Sequence, residues 1–192
     1  MAVGLGNPGR EYAGSRHNAG ADAIARLAER HGGALKKGRE LALVDEVRVD
    51  QLRLALAFPQ TYMNDSGQAV APLVRRYGIE DLTRLVIVHD ELDLPLGVVR
   101  VKAGGGLAGH NGLRSIKAHL HSDQFTRVRI GIGKPPGGKE RGADHVLKAP
   151  TKKGREELDV SIELAADAVE AILAEGVAAA QNRFNTVQKP VQ

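Results

Sequence analysis

The chain alternates between two hydrophobic rhythms. Residues 41–49 and 52–58 alternate apolar and polar side chains on either side of Asp50-Gln51, the period of half-buried strands joined in a hairpin. Residues 85–89 (Leu-Val-Ile-Val-His) form a continuous apolar run, as expected of a strand covered on both faces. Shorter apolar stretches at 1–5, 98–102 and 128–132 predict further strands. Between them the rhythm lengthens to that of a helix. Residues 19–31 put Ile24, Leu27 and Ala28 on one face and stop at Gly32-Gly33. Residues 64–77 begin with Asn64, Asp65 or Ser66 near the cap and end at Gly78. Residues 111–120, 152–173 and 177–184 predict three more helices. Strands interleaved with helices predict an α/β fold: a single domain over residues 1–192, a mixed twisted β-sheet flanked by helices on both faces, and a tail frayed from about residue 186. The hairpin is what makes the sheet mixed. Gly104-Gly105-Gly106 and the Gly/Pro/Lys stretch at 134–142 read as flexible loops. Ligands of such sheets sit beyond the carboxyl ends of the strands. Asn7 and Asp90 are each expected just past a strand end, within reach of one crevice.

Composition narrows the chemistry. With no cysteine there is no disulfide, thiolate zinc site or cysteine nucleophile, which fits a reducing cytoplasm. No apolar run approaches the ~18 residues of a membrane span, and the first residues lack the features of a signal peptide. The net charge is only +4, yet residues 98–155 hold 13 Lys and Arg against 3 Asp and Glu. Within that segment Arg100, Lys102, Arg114, Lys117, Arg127, Arg129 and Lys134 flank the glycine loop and the helix after it, and the first amides of that helix, near Asn111, favour a phosphate. With aromatics at 3% of the chain, phosphate contact fits better than base stacking.

The first loop carries an amide (Asn7), a phenol (Tyr12), a guanidinium (Arg16) and an imidazole (His17) within a few residues. Gly4, Gly6 and Gly9 match G-x-G-x-x-G, as do Gly104, Gly106 and Gly109, but the first stays loop-like where a dinucleotide site opens a helix, and the second opens a helix without the strand-ending acid at the right distance. His17 is the candidate base, and Asp90, at the end of the buried strand, is a carboxylate able to orient it. No G-x-S-x-G nucleophile is present, and Ser66 reads as a helix cap. Asn7, Asn64 and Asn111 border loop–helix junctions and offer donor and acceptor together. The run His89-Asp90-Glu91-Leu92-Asp93 does not read as a metal site, because a strand sends successive side chains to opposite faces. His119 and His121 read as surface residues.

Three long motifs, GLGNPGREYAGSRHNAG at 4–20, PQTYMNDSG at 59–67 and GGGLAGHNGLRSI at 104–116, with VHDELDLPLG at 88–97 and RIGIGKP at 129–135, resemble the bacterial-type peptidyl-tRNA hydrolase family. The resemblance implies cleavage of the ester between a peptide and the 3′-terminal ribose of tRNA, with the alternative of a non-catalytic RNA-binding relative. It implies a single α/β domain, His17 as general base, Asp90 as its orienting acid, and Asn7 as the group that tells peptidyl from aminoacyl ends. Asn64 and Asn111 would hold substrate and water. Tyr12, Tyr62 and Met63 would line the peptide and 3′-end site, with Gly109 and His110 beside them, and Lys102 and Arg129 would grip tRNA phosphates. It implies no metal, no organic cofactor, no membrane, a cytoplasmic protein and a monomer. Two departures stand out: Phe58 occupies a position where a Lys often precedes the proline, and Leu107-Ala108 replaces the more usual polar or glycine residues before Gly109-His110-Asn111.

Overall fold

The structure is a computed structural model describing residues 1–137 and 142–186. Most of the tail and the centre of the 134–142 loop lie outside the described residues. The elements are β1 (Ala2–Gly4), α1 (Ala19–Arg30), β2 (Lys36–Lys37), β3 (Ala42–Val49), β4 (Leu52–Pro59), α2 (Ser66–Arg76), β5 (Val86–Glu91), β6 (Val99–Ala103), α3 (Asn111–Leu120), β7 (Thr126–Gly131), α4 (Gly142–Leu147), α5 (Lys152–Glu175) and α6 (Val177–Phe184). One seven-stranded sheet runs β2-β3-β4-β1-β5-β7-β6. Its centre is parallel, β1 pairing with β4 and β5 and β5 with β7. Its margins are antiparallel, through β2–β3, β3–β4 and β6–β7. The mixed sheet is therefore as expected, with a second antiparallel margin that the hairpin alone did not announce.

The core divides into two layers. On one face Ile24 and Leu27 of α1 pack with Val88, Val128 and Ile130 and with Ile162 and Val169 of α5. On the other, Val70 and Leu73 of α2 and Leu113 and Ile116 of α3 pack with Val3, Ile87 and Phe125. Each helix buries the apolar stripe its periodicity predicted. β2 and α4 were not anticipated: two and six residues are too short to display a period.

Two local differences bear on the site. Asp90 lies within β5, not past its end, because parallel pairing with β7 carries the ladder through Asp90↔Ile130 and Glu91↔Gly131. Ser66 is the first residue of α2 and not its side-chain cap: its hydroxyl donates to the Met63 carbonyl at 2.7 Å.

A glycine seats α1 against the sheet. A Cβ on Gly20 would overlap the Val88 carbonyl oxygen of β5 and stand 2.9 Å from the Leu5 nitrogen. With only hydrogen there, the first turn of α1 lies directly on the strand ends, where Ala21 N–H donates to the Leu5 carbonyl and Leu5 N–H to that of Val88, both at 3.0 Å. This close approach carries the residues just before α1 to the end of β5.

Candidate active site

Those residues are Arg16–Asn18, a 3₁₀ turn. His17 Nδ1 lies 2.9 and 3.0 Å from the two carboxylate oxygens of Asp90. An ionised carboxylate only accepts, so Nδ1 carries the proton and Nε2, on the other edge of the ring, keeps its lone pair. Burial works against a charge on His17, but the Asp90 charge and the hydrogen bond to it prevail and hold the imidazole above its ordinary value. Burial alone would push Asp90 up; facing His17 and His110, and hydrogen-bonded to both, it is held well below the usual carboxylate range. His110 Nε2 also meets Asp90 Oδ1, at 2.9 Å. Behind it His89, fully buried, packs its ring edge-on to His110, with centroids 4.9 Å apart. His17, Asp90, Gly109, His110, Asn111 and Arg114 share a cleft of about 340 Å³ with Gly142, Ala143 and Val146 of α4. Arg16 ties that helix down, its Nη1 donating to the carbonyls of His145 and Lys148 at 3.3 and 3.1 Å.

A second arm is built on asparagines. The Asn18 amide clamps the Asn7 backbone: Oδ1 accepts from Asn7 N–H and Nδ2 donates to Asn7 C=O, both at 2.9 Å. Asn7 Oδ1 in turn accepts from Met63 N–H at 2.7 Å. With Oδ1 engaged, Asn7 offers a ligand its Nδ2 hydrogens and is a donor. Met63 then packs on α3, where a Cβ on Gly112 would come within 2.6 Å of its sulfur and 3.2 Å of His110 Cε1. Asn7 thus bonds to Met63, and Met63 and His110 both border Gly112.

Tyr12 and Tyr62 meet edge to face, with centroids 6.4 Å apart. Asn64 and Asn111 are exposed, and Asn111 Oδ1 accepts from Arg114. Lys102 is half-buried on β6, and Arg129 donates to Glu91 Oε2 from Nε and Nη2 at 3.2 and 3.1 Å. The basic segment does not form one patch. Arg127 is buried, its Nη2 donating to the carbonyls of Gly104, Gly105 and Gly106 at 2.9, 3.2 and 2.9 Å. Arg100 donates to the Phe184 carbonyl, and Lys117 pairs with Asp123. His119 and His121 are exposed, as expected.

Sequence reasoning missed four contributions: Asn18 as a backbone clamp, Arg16 as the strap on α4, Arg127 beneath the glycine loop, and His110 on Asp90. Asn18 and Arg16 stood in the same motif as His17. Nothing in their neighbours distinguishes a side chain turned to backbone from one turned to a ligand. Among the described residues His17, Asp90 and His110 form the one group able to hold a metal, with ligand atoms within 4.8 Å of one another. Both rings turn an N–H toward Asp90, so an ion there would have to displace both protons.

A family profile described as peptidyl-tRNA hydrolase matches residues 1–192. The peptidyl-tRNA hydrolase of Frankia casuarinae is 49% identical over 187 residues, covering 97% of this chain and 94% of that protein. That of Leifsonia xyli is 48% identical over 188 residues, covering 97% and 96%. The crystal structure of the Acinetobacter baumannii enzyme superposes with a TM-score of 0.90 at 41% identity, covering 97% of this chain and 94% of that one.

Proposed function

The chain belongs to the peptidyl-tRNA hydrolase family, and from that premise we propose that it hydrolyses the ester joining a peptide to the 3′-terminal ribose of tRNA, with His17 as general base. The observation that carries this reading is the contact of His17 Nδ1 with both Asp90 oxygens at the edge of the cleft. Nε2 takes a proton from a water molecule as its oxygen attacks the ester carbonyl. The carbonyl oxygen becomes an oxyanion, and amide donors supply its partners: Nδ2 of Asn7, with Asn64 and Asn111. Collapse of the tetrahedral intermediate breaks the bond to the ribose oxygen, which takes the proton back from His17. The products are a peptide acid and free tRNA. No covalent nucleophile is needed, and Asp90 steadies the transient imidazolium.

Tyr12, Tyr62 and Met63 line the path of the peptide and the 3′ end, with Gly109 beside them. Lys102 and Arg129 contact tRNA phosphates. The chain acts as a cytoplasmic monomer without metal or organic cofactor. No described helix is long and apolar enough to cross a membrane.

Incubation with an N-blocked aminoacyl-tRNA tests the assignment. We expect release of free tRNA, reduced about 10²–10⁴-fold in His17→Ala. Binding without cleavage would instead indicate an RNA-binding relative, and equal cleavage of esters lacking tRNA a general esterase.

A further inference from the structure

We propose that His110 is a positioning residue, held by the first amides of α3 with its proton on Nε2, which fixes Asp90 and couples the glycine loop to the base. The inference rests on the hydrolase reading and deepens it. His110 is the N-cap of α3, and its Nδ1 accepts from Gly112 N–H at 3.2 Å and Leu113 N–H at 3.4 Å. A nitrogen that receives backbone N–H groups carries no proton of its own, so the ring proton is on Nε2. That nitrogen donates to Asp90 Oδ1 at 2.9 Å.

The neighbouring rings complete the assignment. His89 Nδ1 donates to the Asp90 carbonyl at 2.7 Å, and its Nε2 is buried with no hydrogen-bond partner among the described residues. His17 donates to Asp90 through Nδ1. Of the three imidazoles, then, one lone pair is spent on α3 and one is sealed in the core. Only His17 Nε2 is left for the cleft. His110, with its side chain 8% exposed, acts through Asp90.

The second consequence concerns base strength. His110 and His17 share Asp90 Oδ1. Each donor to a carboxylate oxygen reduces the charge it offers the next. His110 therefore moderates the pull of Asp90 on His17 and keeps its imidazole closer to neutrality than Asp90 alone would. Among the described residues, the charged side chains that line this cleft besides the pair are Glu91 and Arg114. Glu91, paired with Arg129 of β7, and Arg114 of α3 lie at the cleft margin, while α4 lines it with Gly142, Ala143 and Val146. Because His110 ends the glycine loop and starts α3, any shift of that loop alters the donor on Asp90.

The amide oxygen of asparagine occupies the place of histidine Nδ1, while its nitrogen falls one bond short of Nε2. His110→Asn thus keeps the helix cap and removes the donor to Asp90; His110→Ala removes both. We expect His110→Asn to retain the thermal stability that His110→Ala loses. In both variants the acid limb of kcat/KM should move up by about half a pH unit. We also expect kcat to fall about fivefold with KM nearly unchanged, the effect of one lost hydrogen bond. An acid limb of His110→Asn at the wild-type position would reduce His110 to a cap and overturn the proposal. So would nitrogen NMR showing the His110 proton on Nδ1 near neutral pH. The NMR result stands even if the wild-type chain fails to release tRNA, which would refute the hydrolase reading alone.

Discussion

At the residue scale the site is a matter of where protons reside. His17 is held above its ordinary value, so activity should rise with pH through an ionisation above about 6.5. In Asp90→Asn only burial remains, and the limb should move down. The rate should fall about 10³–10⁴-fold, because the amide no longer enforces the Nδ1–H tautomer; a kcat/KM profile against pH reads both effects. Stability carries the opposite sign. A group raised on folding stabilises fully below its unfolded value and loses that contribution as pH rises through the folded one. Asp90, depressed on folding, stabilises above about pH 4 and loses its contribution as the solution is acidified. Ala108 makes a separate point. It adopts φ +52°, a left-handed conformation rare for a residue with a Cβ. Ala108→Gly should therefore raise unfolding stability by about 0.5–1 kcal/mol, the strain relieved less the added freedom of the unfolded chain; denaturant melts would show it.

At the element scale the site depends on two supports. Gly20 lets α1 lie on β5, and its missing Cβ faces backbone atoms of Val88 and Leu5, which cannot yield. Gly20→Ala should cost about 3 kcal/mol or more and drive the His17 turn away from Asp90, seen as a lower melting temperature together with lost activity. Arg127 supports the glycine loop from below. Its burial disfavours the charge, but the three carbonyls it binds would otherwise lack that partner. Arg127→Met keeps much of the volume and removes the donors. Amide exchange at residues 104–110 should then accelerate, with KM rising more than kcat falls. Unchanged exchange would mean that the loop holds its own shape. The strand and helix pattern was legible because β5, α1 and α3 each bury a face that their own residues define. α4 was not, being shorter than two helical turns.

At the scale of the whole molecule the charge distribution decides how RNA is met. The basic stretch at 98–155 suggested a continuous phosphate-facing surface. In the fold Arg127 is internal, Arg100 is bound to the end of α6, and Lys117 and Lys134 have carboxylate partners at 2.6 and 3.5 Å. Fewer cations are free for phosphates than a count implies. We expect tRNA affinity to fall with salt at a log–log slope of about −2 to −3, that of roughly three phosphate contacts. A flat titration would remove electrostatics from recognition, and Lys102→Ala should flatten the slope by about one.

The chain itself determined the elements and the kinds of group available: an imidazole beside an amide, an acid on a buried strand, and asparagines at 7, 64 and 111. Hydrophobic period and turn residues are local, and they act over a few positions. Which of those groups meet was decided only in three dimensions. His17 and Asp90 lie 73 residues apart, and Asp90 and His110 lie 20 apart. Their contact depends on strand order, on a glycine that admits a helix to a strand, and on a helix cap that turns one ring inward. Such contacts leave no periodic trace, because each rests on a single close approach between segments remote in sequence.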